Sequence, residues 1–374
     1  MKVIYLANLP SPYRVDFFNE LGKYCELTVL FERKRATDRD EKWYKKDNFN
    51  FKSYYLKSKE IGTESSFSLE QLKYFNKENL IVIGGYSSIT AMVSILYLKV
   101  KKIPFILNAD GAFINYKEKK LVSLIKRFFI SKASYWICTS NSAIDYFCYY
   151  GAQKDRIYKY PFSSIRQNDI LKDPIDKKRK QELRRKKNIP YENVILSVGQ
   201  IIDRKGMDLL IKSTYNIPNV GIYIVGGKPS DNLLKIIQKN NIINVHFVDF
   251  MNYNELSEFY QLADLFVLLT RYDVWGLVIN EALANGLPAI STSYCGAALE
   301  LLNNKNGLII DNIDNCQYIH QKINLFLEKV ITDDSYQKEA LFTMSNYTIE
   351  NMARKHFELF QMIMKKNKNL IKEN

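Results

Sequence analysis

The chain of 374 residues is too long for a single compact core, and its content of 47% hydrophobic and 25% charged residues excludes wholesale disorder. Its formal charge of +14 favours an acidic partner such as nucleic acid, anionic lipid or a phosphorylated ligand, although a solvated basic surface would also account for it. The five cysteines are scattered and form no Cys-x-x-Cys pair, which argues against a disulfide framework or a zinc site and favours a reducing, cytoplasmic setting. We expect no signal peptide, because the apolar start of the chain is short.

The first part of the chain alternates between apolar runs and helical patterns, as doubly wound α/β domains do. In chain order, the predicted elements are strand 2–7, helix 13–22, strand 26–31, a charged excursion over 32–51, strand 80–83, helix 89–100, strand 104–107, helix 119–130, strand 134–139 and helix 142–149, and residues 156–162 close the domain. Residues 80–98 carry no charge and are long enough to span a membrane, but Gly84 and Gly85 divide them into a strand and a helix. We therefore favour a buried β-α-β unit there and assign residues 1–168 to a first Rossmann-like domain.

A basic segment with two prolines, residues 169–192, predicts a linker and hinge that includes a solvated helix over 177–187. The alternation then restarts with strand 194–198, helix 207–214, strand 221–225, helix 232–239, strand 245–248, helix 255–262, strand 264–269, helix 277–284, strand 287–290, helix 297–302, strand 307–310 and helix 316–330. These elements predict a second Rossmann-like domain over residues 193–350. Residues 351–374 form an amphipathic helix that packs on a domain or lies on a membrane, and we favour packing. Two doubly wound domains that face each other leave a cleft at the carboxyl ends of their strands, where ligands usually bind.

The stretch 270–284 carries the strongest functional signal. A buried strand opens through Asp273 and Gly276 into a helix that begins at Leu277 and contains Glu281. The unpaired N–H groups and the dipole of a helix N-terminus make a natural site for phosphate. Glu281 follows Asp273 by eight residues, so the two carboxylates can reach hydroxyls on different parts of one ligand.

Two further loops end strands of the same predicted sheet. The first begins at Gly199 and places Arg204 and Lys205 just before a helix, an arrangement of cations suited to a diphosphate. It is neither a Walker loop nor a Gly-x-Gly-x-x-Gly turn, and a solvated basic loop is the alternative. Gly226 and Gly227 end the next strand, where permissive backbone serves either an ordinary turn or the close approach of a ligand.

The first domain offers a second group of polar residues. Asn108 and Asp110 follow a predicted strand, and we expect Asp110 to face the cleft from the side opposite Asp273, although Asp-Gly turns are common. Tyr13 and Arg14 open the first helix, where a phenol and a cation can meet an anionic or sugar ligand.

With these residues assembled, the chain resembles the retaining glycosyltransferases of family four, which have the GT-B fold and include many bacterial capsule, exopolysaccharide and lipopolysaccharide transferases. The Glu-x7-Glu motif of that family matches Asp273 to Glu281, with Asp in place of the first Glu. The resemblance implies that Asp273 contacts the donor sugar and Glu281 the ribose of its nucleotide. It also implies that Gly276 and Leu277 lie beside the phosphates.

The same resemblance assigns the diphosphate to Arg204 and Lys205. Many members carry an arginine where this chain has Gln200, so the two cations carry more of the charge here. Members often place a histidine of the first domain near the reacting carbon; no histidine of this chain is expected there, and Asp110 takes that place. The last helix is expected to cross back to the first domain.

Metal catalysis is not expected from these residues. His246, His320 and His356 lack metal-ligand spacing, and no Ser-His-Asp or Cys-His arrangement is indicated. Asp38 and Asp40 match the Asp-x-Asp pattern of metal-dependent sugar transferases, but their charged surroundings favour a surface position. We expect no cofactor, because the nucleotide-diphosphate sugar is a substrate.

The sequence therefore predicts a retaining, metal-independent hexosyltransferase that moves a sugar from a nucleotide-diphosphate sugar to a hydroxyl of a lipid-linked saccharide in surface polysaccharide biosynthesis. We expect it in the cytoplasm, held peripherally on the anionic inner face of the cell membrane by its basic surface. One alternative is a nucleotide-sugar epimerase of the same fold, which would release a free epimerised sugar without an acceptor. Another is a nucleic-acid-binding protein, but the basic runs contain few aromatic residues and we expect no nucleic acid partner.

Overall fold

The chain folds into two compact units. The computed structural model describes residues 1–35, 49–62 and 65–372, so Asp38 and Asp40 lie outside the described residues. Residues 1–164 and 348–374 form the first unit, and residues 165–347 form the second. The predicted class, α/β with two parallel-sheet domains, is confirmed.

The first unit contains a seven-stranded parallel sheet in the order β3-β2-β1-β6-β7-β8-β9. Its strands are β1 (Lys2–Ala7), β2 (Glu26–Phe31), β3 (Lys52–Tyr55), β6 (Leu80–Ile83), β7 (Phe105–Ala109), β8 (Tyr135–Cys138) and β9 (Ile157–Lys159). A separate antiparallel pair is formed by β4 (Lys59–Ile61) and β5 (Ser65–Phe67). The central strands are apolar and buried on both faces, as expected of parallel strands covered by helices.

The helices of this sheet begin where the sequence offers suitable caps. They are α1 (Pro12–Leu21), α2 (Ile89–Val100), α3 (Lys120–Ile130) and α4 (Asn141–Tyr149). Proline occupies the start of α1, where its missing N–H costs no intrahelical hydrogen bond. The hydroxyls of Ser88 and Ser140 accept hydrogen bonds from the backbone N–H groups of Ala91 and Ala143 and so cap α2 and α4. The uncharged run 80–98 therefore forms β6 and most of α2. No helix in the described part of the chain is both long and apolar enough to cross a membrane.

The second unit contains a six-stranded parallel sheet in the order β12-β11-β10-β13-β14-β15. Its helices are α5 (Lys177–Lys186), α6 (Met207–Thr214), α7 (Asp231–Lys239), α8 (Tyr253–Leu262), α9 (Leu277–Ala284), α10 (Gly296–Leu301), α11 (Cys316–Thr332) and α12 (Ser335–Met344). Its strands are β10 (Asn193–Val198), β11 (Val220–Val225), β12 (Val245–Val248), β13 (Leu265–Leu268), β14 (Ala289–Thr292) and β15 (Gly307–Ile310).

The strand order places a topological switch point in each unit. In the second unit the chain moves outward from β10 through β11 to β12, and then returns to the other side of β10 at β13. The loops that follow β10 and β13 therefore diverge at the carboxyl edge of the sheet, which is where open α/β sheets bind ligands. In the first unit the equivalent neighbours are β1 and β6.

The predicted linker is a folded part of the second unit. Residues 169–192 fall within the second unit, and α5 packs against α8. Arg184 is buried; its guanidinium forms an ion pair with Asp264 at 2.6 Å and donates to the carbonyl oxygen of Leu262. Lys180 contacts the same carboxylate at 3.1 Å. The helix expected over 177–187 is present and largely exposed, but it is not wholly solvated, because Leu183 and Arg184 are buried and two of its basic residues contact Asp264.

The terminal helix, α13 (Ile349–Lys372), packs against α1 within the first unit. It begins two residues before the range given in the sequence analysis, and its buried stripe includes Met352, His356 and Phe360. The ring of Phe357 stacks on Tyr24 with ring centroids 5.5 Å apart. The alternation of strands and helices did not indicate β3, β4, β5 or α12.

We predict that Arg184→Ala lowers the free energy of unfolding of the second unit by about 3 kcal/mol, because the buried carboxylate of Asp264 loses its closest cation. Arg185→Ala, on the exposed side of the same helix, should change it by less than about 0.5 kcal/mol. Urea unfolding followed by circular dichroism measures both variants. Equal stability of the two would contradict the assignment of α5 to the folded unit.

Candidate functional site

Five residues from three loops meet at the switch point of the second unit, and we call them the switch-point cluster: Gly199, Lys205, Gly226, Asp273 and Gly276. The loop after β10 supplies the first two, the end of β11 supplies the third, and the loop between β13 and α9 supplies the last two. All five are candidate site residues predicted from the sequence, and the structure brings them into contact.

The centre of this cluster is an ion pair. The ammonium of Lys205 donates to Oδ2 of Asp273, and both side chains are largely withdrawn from solvent. Arg204 lies on the exposed side of the pair: its Nη1 donates to the carbonyl oxygen of Tyr272 at 2.8 Å and lies 3.9 Å from Oδ1 of Asp273. The site therefore presents one solvent-accessible guanidinium beside one partly neutralised ammonium.

The loop that carries Asp273 is fixed by backbone hydrogen bonds to the start of α10. The N–H of Asp273 donates to the carbonyl oxygen of Tyr294 at 2.9 Å, and its own carbonyl oxygen accepts from Gly296 at 3.1 Å. The thiol of Cys295 donates to the carbonyl oxygen of Trp275 at 2.9 Å. These bonds hold the carboxylate in one position without help from a ligand.

Arg271 is a residue that the sequence analysis missed. Its guanidinium forms a two-pronged contact with Asp208 at 2.8 Å for each pair of atoms, and it also donates to the carbonyl oxygen of Asp203 at 2.7 Å. Burial opposes ionisation of Asp208, but the hydrogen bonds and charge of Arg271 outweigh it and lower its pKa. The pair joins the loop after β13 to α6 and so holds the turn that contains Arg204 and Lys205. No spacing in the sequence connects Arg271 with Asp208.

Two glycines of the cluster are required by geometry. A Cβ atom on Gly226 would lie 2.0 Å from the carbonyl oxygen of Gly199, so only glycine allows these two loops to approach each other. Gly276 caps α9 with a φ of +97°, in the left-handed region. Leu277 is then the first residue of α9, so the N-terminal end of this helix, with the positive end of its dipole, follows directly on the loop that carries Asp273.

Glu281 lies one turn further along α9 and has a different environment. Its carboxylate accepts a hydrogen bond from the hydroxyl of Tyr260 at 2.8 Å, and burial raises its pKa to about 7. It takes part in no ion pair within the described part of the chain. A desolvated carboxylate with one hydroxyl donor has capacity to accept further hydroxyl groups. Tyr260 is fully buried on α8, and its role could not be read from the sequence.

The candidate residues of the first unit also converge. The guanidinium of Arg14 forms an ion pair with Asp110 at 2.5 Å and donates to the hydroxyl of Tyr5 at 3.1 Å. The hydroxyls of Tyr13 and Tyr160 donate to the two oxygens of Asp110, at 3.4 and 3.0 Å. Burial, with the charge of Asp110 next, raises the pKa of Tyr160 well above its usual value, so this phenol stays protonated.

Asn108 anchors this group to the sheet. It is buried in β7, its amide nitrogen donates to the hydroxyl of Tyr160 at 2.8 Å, and its amide oxygen accepts from Tyr5. The structure therefore brings Tyr13, Arg14, Asn108 and Asp110 together, and it adds Tyr5 and Tyr160, which the sequence analysis did not select. Asn108 is enclosed by these partners, so its role within the unit is to orient them.

One histidine packs against this group of residues. His356 reaches the first unit through α13, and its ring packs on Tyr160 with ring centroids 4.2 Å apart. It is fully buried, Nδ1 lies 2.8 Å from the carbonyl oxygen of Met352, and Nε2 has no hydrogen-bond partner among the described residues. Burial lowers the pKa of His356 to about 3, so the ring is neutral. The contact between Tyr160 and His356 joins distant parts of the chain and could not be read from the sequence.

The described residues contain no group of three or more His, Cys, Asp or Glu side chains placed to hold a metal ion. His246 instead lies against Tyr191 and Tyr223, and Nδ1 of His320 lies 3.0 Å from the carbonyl oxygen of Ser213. Gly227 lies in the loop after β11, and Leu277 is the first residue of α9, as predicted.

Comparison with known proteins places this geometry in a class. The family model for glycosyl transferases group 1 matches residues 179–341, the segment that holds the switch-point cluster and Glu281. This segment is therefore similar to the group 1 glycosyl transferases. Over 160 residues the chain is 29% identical to the lipopolysaccharide glucosyltransferase WaaG of Escherichia coli strain K12, covering 41% of each chain. It is 25% identical over 318 residues to the O-antigen biosynthesis glycosyltransferase WclY of Escherichia coli, covering 78% of this chain and 80% of that protein.

The first relatives are matched over about two fifths of their length, 41% for WaaG and 40% for the lipopolysaccharide core biosynthesis glycosyltransferase LpsE of Rhizobium meliloti. Solved structures extend the likeness to the whole fold. Anabaena Alr3699/HepE in complex with UDP has a TM-score of 0.77 at 15% identity, over 97% of this chain and 100% of that chain. A sucrose-phosphate synthase from Thermosynechococcus elongatus has a TM-score of 0.74 at 16% identity, over 97% and 99%. The fold is GT-B, and the chain is related to transferases of lipopolysaccharide and O-antigen biosynthesis.

We predict that Gly226→Ala and Gly227→Ala differ sharply, although both glycines have positive φ angles, +148° and +134°. Both variants carry backbone strain of about 1–3 kcal/mol, but only the first forces a Cβ atom against the backbone of Gly199. Thermal unfolding should therefore show that Gly226→Ala is less stable than Gly227→Ala by about 1–3 kcal/mol. Equal destabilisation would mean that the two loops do not touch.

Proposed function

We propose that the protein transfers a sugar from a nucleotide-diphosphate sugar to a hydroxyl group of a saccharide acceptor in the biosynthesis of a surface polysaccharide. The observation that carries this proposal is the ion pair of Lys205 with Asp273, held at the switch point of the second unit between two glycine loops and the N-terminus of α9. A solved structure of the same fold, Anabaena Alr3699/HepE, contains UDP-glucose. The match of residues 179–341 to the family model for glycosyl transferases group 1 supports the same class of reaction.

The donor would be bound mainly by charge. Arg204 and Lys205 offer two cations to the diphosphate, and the first turn of α9 adds N–H donors and the positive end of its dipole. As the bond from the anomeric carbon to the diphosphate oxygen breaks, negative charge grows on the departing phosphate, and these fixed groups stabilise it. Asp273, aligned by Lys205, would then accept a hydrogen bond from the donor sugar.

We further propose that transfer proceeds with retention at the anomeric carbon and without a bound metal ion. Retention rests on the match of Asp273 and Glu281 to the motif of the retaining family. Metal independence rests on Arg204 and Lys205, whose two positive charges supply the stabilisation of a leaving diphosphate. Nuclear magnetic resonance of the first product formed distinguishes an α-linked from a β-linked sugar and tests retention. Sugar transfer measured in the presence of excess chelator tests whether the reaction needs a metal ion.

The acceptor is proposed to be a lipid-linked saccharide, reached at the cytoplasmic face of an anionic membrane. The charge of +14 supports an anionic surface as partner, and relatives act in lipopolysaccharide and O-antigen biosynthesis. Within the first unit, Tyr13, Arg14 and Asp110 offer a phenol, a cation and a carboxylate for sugar hydroxyls. We propose that these residues form the acceptor-binding group.

We predict that at least one of the UDP-, GDP-, CMP- or dTDP-linked sugars raises the melting temperature of the protein, because a ligand that binds the native state stabilises it. Lys205→Ala should lose this shift, whereas Lys212→Ala, an exposed lysine on α6, should keep it. Circular dichroism verifies that both variants fold. No shift with any of these donors, or a full shift in Lys205→Ala, would contradict the proposal.

The raised pKa of Glu281 predicts that donor affinity depends on pH. Ribose hydroxyls donate to a carboxylate, so binding requires the deprotonated form and pulls the pKa below its free value of about 7. Affinity for the best donor sugar should therefore be full at pH 8 and fall about tenfold by pH 6. The diphosphate of a nucleotide sugar does not titrate in this range, so calorimetry isolates the protein group. Glu281→Gln should bind more weakly at pH 8 and show a flat profile; an unchanged slope would show that another group titrates.

A further inference from the structure

The face of α3 that points away from the core is apolar. Leu121, Leu124, Ile125 and Phe128 recur at helical spacing and are 68%, 62%, 41% and 48% exposed. Residues spaced in this way form one stripe along a helix. Monomeric proteins rarely expose a contiguous apolar patch of this kind without a partner.

The opposite face of the same helix packs against the core of the first unit. Ile130 is fully buried, Phe129 packs against the core of the sheet, and the indole of Trp136 donates to the carbonyl oxygen of Ile130 at 3.0 Å. Ile130 and Lys126 lie about half a turn away from Leu121 and Phe128 around the helix axis. The exposed stripe is therefore separate from the face of α3 that contacts the core. We call the stripe of Leu121, Leu124, Ile125 and Phe128 the outer face of α3.

Cations surround this outer face. Residues 117–132 contain six basic residues and one acidic residue, a net charge of +5. The basic residues are Lys117, Lys119, Lys120, Lys126, Arg127 and Lys132. The single acid, Glu118, is almost buried and is held by Lys126 at 2.5 Å and by the hydroxyl of Tyr150. The ammonium of Lys132 lies over the ring of Phe128, 4.6 Å from its centroid. No acidic side chain of this segment therefore opposes an anionic surface.

Aromatic residues flank one end of the helix. Tyr116 is 77% exposed and its ring meets Tyr149 edge-on at 5.8 Å. Arg127 of α3 donates to the carbonyl oxygen of Tyr149 at 2.9 Å, which places this aromatic pair beside the helix. Tyrosine rings with one wet and one apolar side are typical of the boundary between water and a bilayer.

We infer that the outer face of α3 is the surface by which the protein docks on an anionic lipid bilayer, with the apolar stripe inserted among the acyl chains and the lysines on the headgroups. An apolar stripe with flanking cations is the pattern of a helix that lies in the membrane interface. A second copy of the chain fits less well, because a two-fold symmetric contact would bring a net charge of +5 against the same charge. The inference deepens the proposed function, since it rests on an acceptor that resides in the membrane.

The test is flotation of the purified full chain with vesicles of phosphatidylethanolamine and phosphatidylglycerol, compared with vesicles of phosphatidylcholine alone. The chain should float with the anionic vesicles and much less with the neutral ones. Leu124→Glu/Phe128→Glu should weaken binding at least about tenfold. The matched control, Leu325→Glu/Phe342→Glu, replaces two side chains of the second unit that are 57% and 67% exposed, and it should bind like the wild type. Lys119→Ser/Lys120→Ser should weaken binding to anionic vesicles only.

The inference is overturned if the wild type does not float with anionic vesicles, or if the α3 pair and the control pair bind alike. It is also overturned if sedimentation shows a dimer that only the α3 pair dissociates while no variant binds vesicles. Melting temperatures and the shift produced by nucleotide sugars are measured for each variant. A nucleotide shift that survives in the α3 pair separates the two proposals, because loss of vesicle binding then leaves donor binding intact. Vesicle binding without any nucleotide shift would uphold the docking surface and contradict the transferase proposal.

Discussion

The ion pair between Lys205 and Asp273 is the interaction on which the candidate site depends. It joins the loop after β10 to the loop after β13, which are the two loops that diverge at the switch point of the second sheet. It also fixes a cation and a carboxylate beside the N-terminus of α9 before any ligand arrives. A preorganised site of this kind stabilises developing charge without the cost of reorganising its own dipoles during reaction.

The surrounding fold keeps that pair in place through contacts of different kinds. Arg271 and Asp208 join the same loop to α6, and the backbone hydrogen bonds of Asp273 with Tyr294 and Gly296 fix it on the other side. The close approach of Gly226 to Gly199 brings in the third loop. In the first unit, Asp110 has a similar position at the centre of a hydrogen-bonded group, but there a single guanidinium and two phenols surround it.

Most strands and helices were predictable from the sequence, because buried parallel strands are apolar runs bounded by glycine or by capping residues. β3 was not, since Lys52–Tyr55 is a half-exposed edge strand that lacks such a run. α5 was assigned to a hinge because its basic composition resembles a solvated helix, and only the structure shows Asp264 beneath it. Loop motifs indicated Arg204, Lys205, Asp273 and Glu281. Tyr260, Arg271 and His356 contribute through contacts between distant segments, for which one sequence carries no local signal.

Calorimetric titration of nucleoside diphosphates against their monophosphates tests the central claim most directly. If the switch-point cluster with Arg204 binds a diphosphate, at least one diphosphate should bind at least about tenfold more tightly than its monophosphate, because the second phosphate gains charge-assisted hydrogen bonds. Lys205→Ala should reduce that difference while the affinity for the monophosphate changes little. Equal affinity for the two nucleotides, or an unaltered preference in Lys205→Ala, would contradict the account.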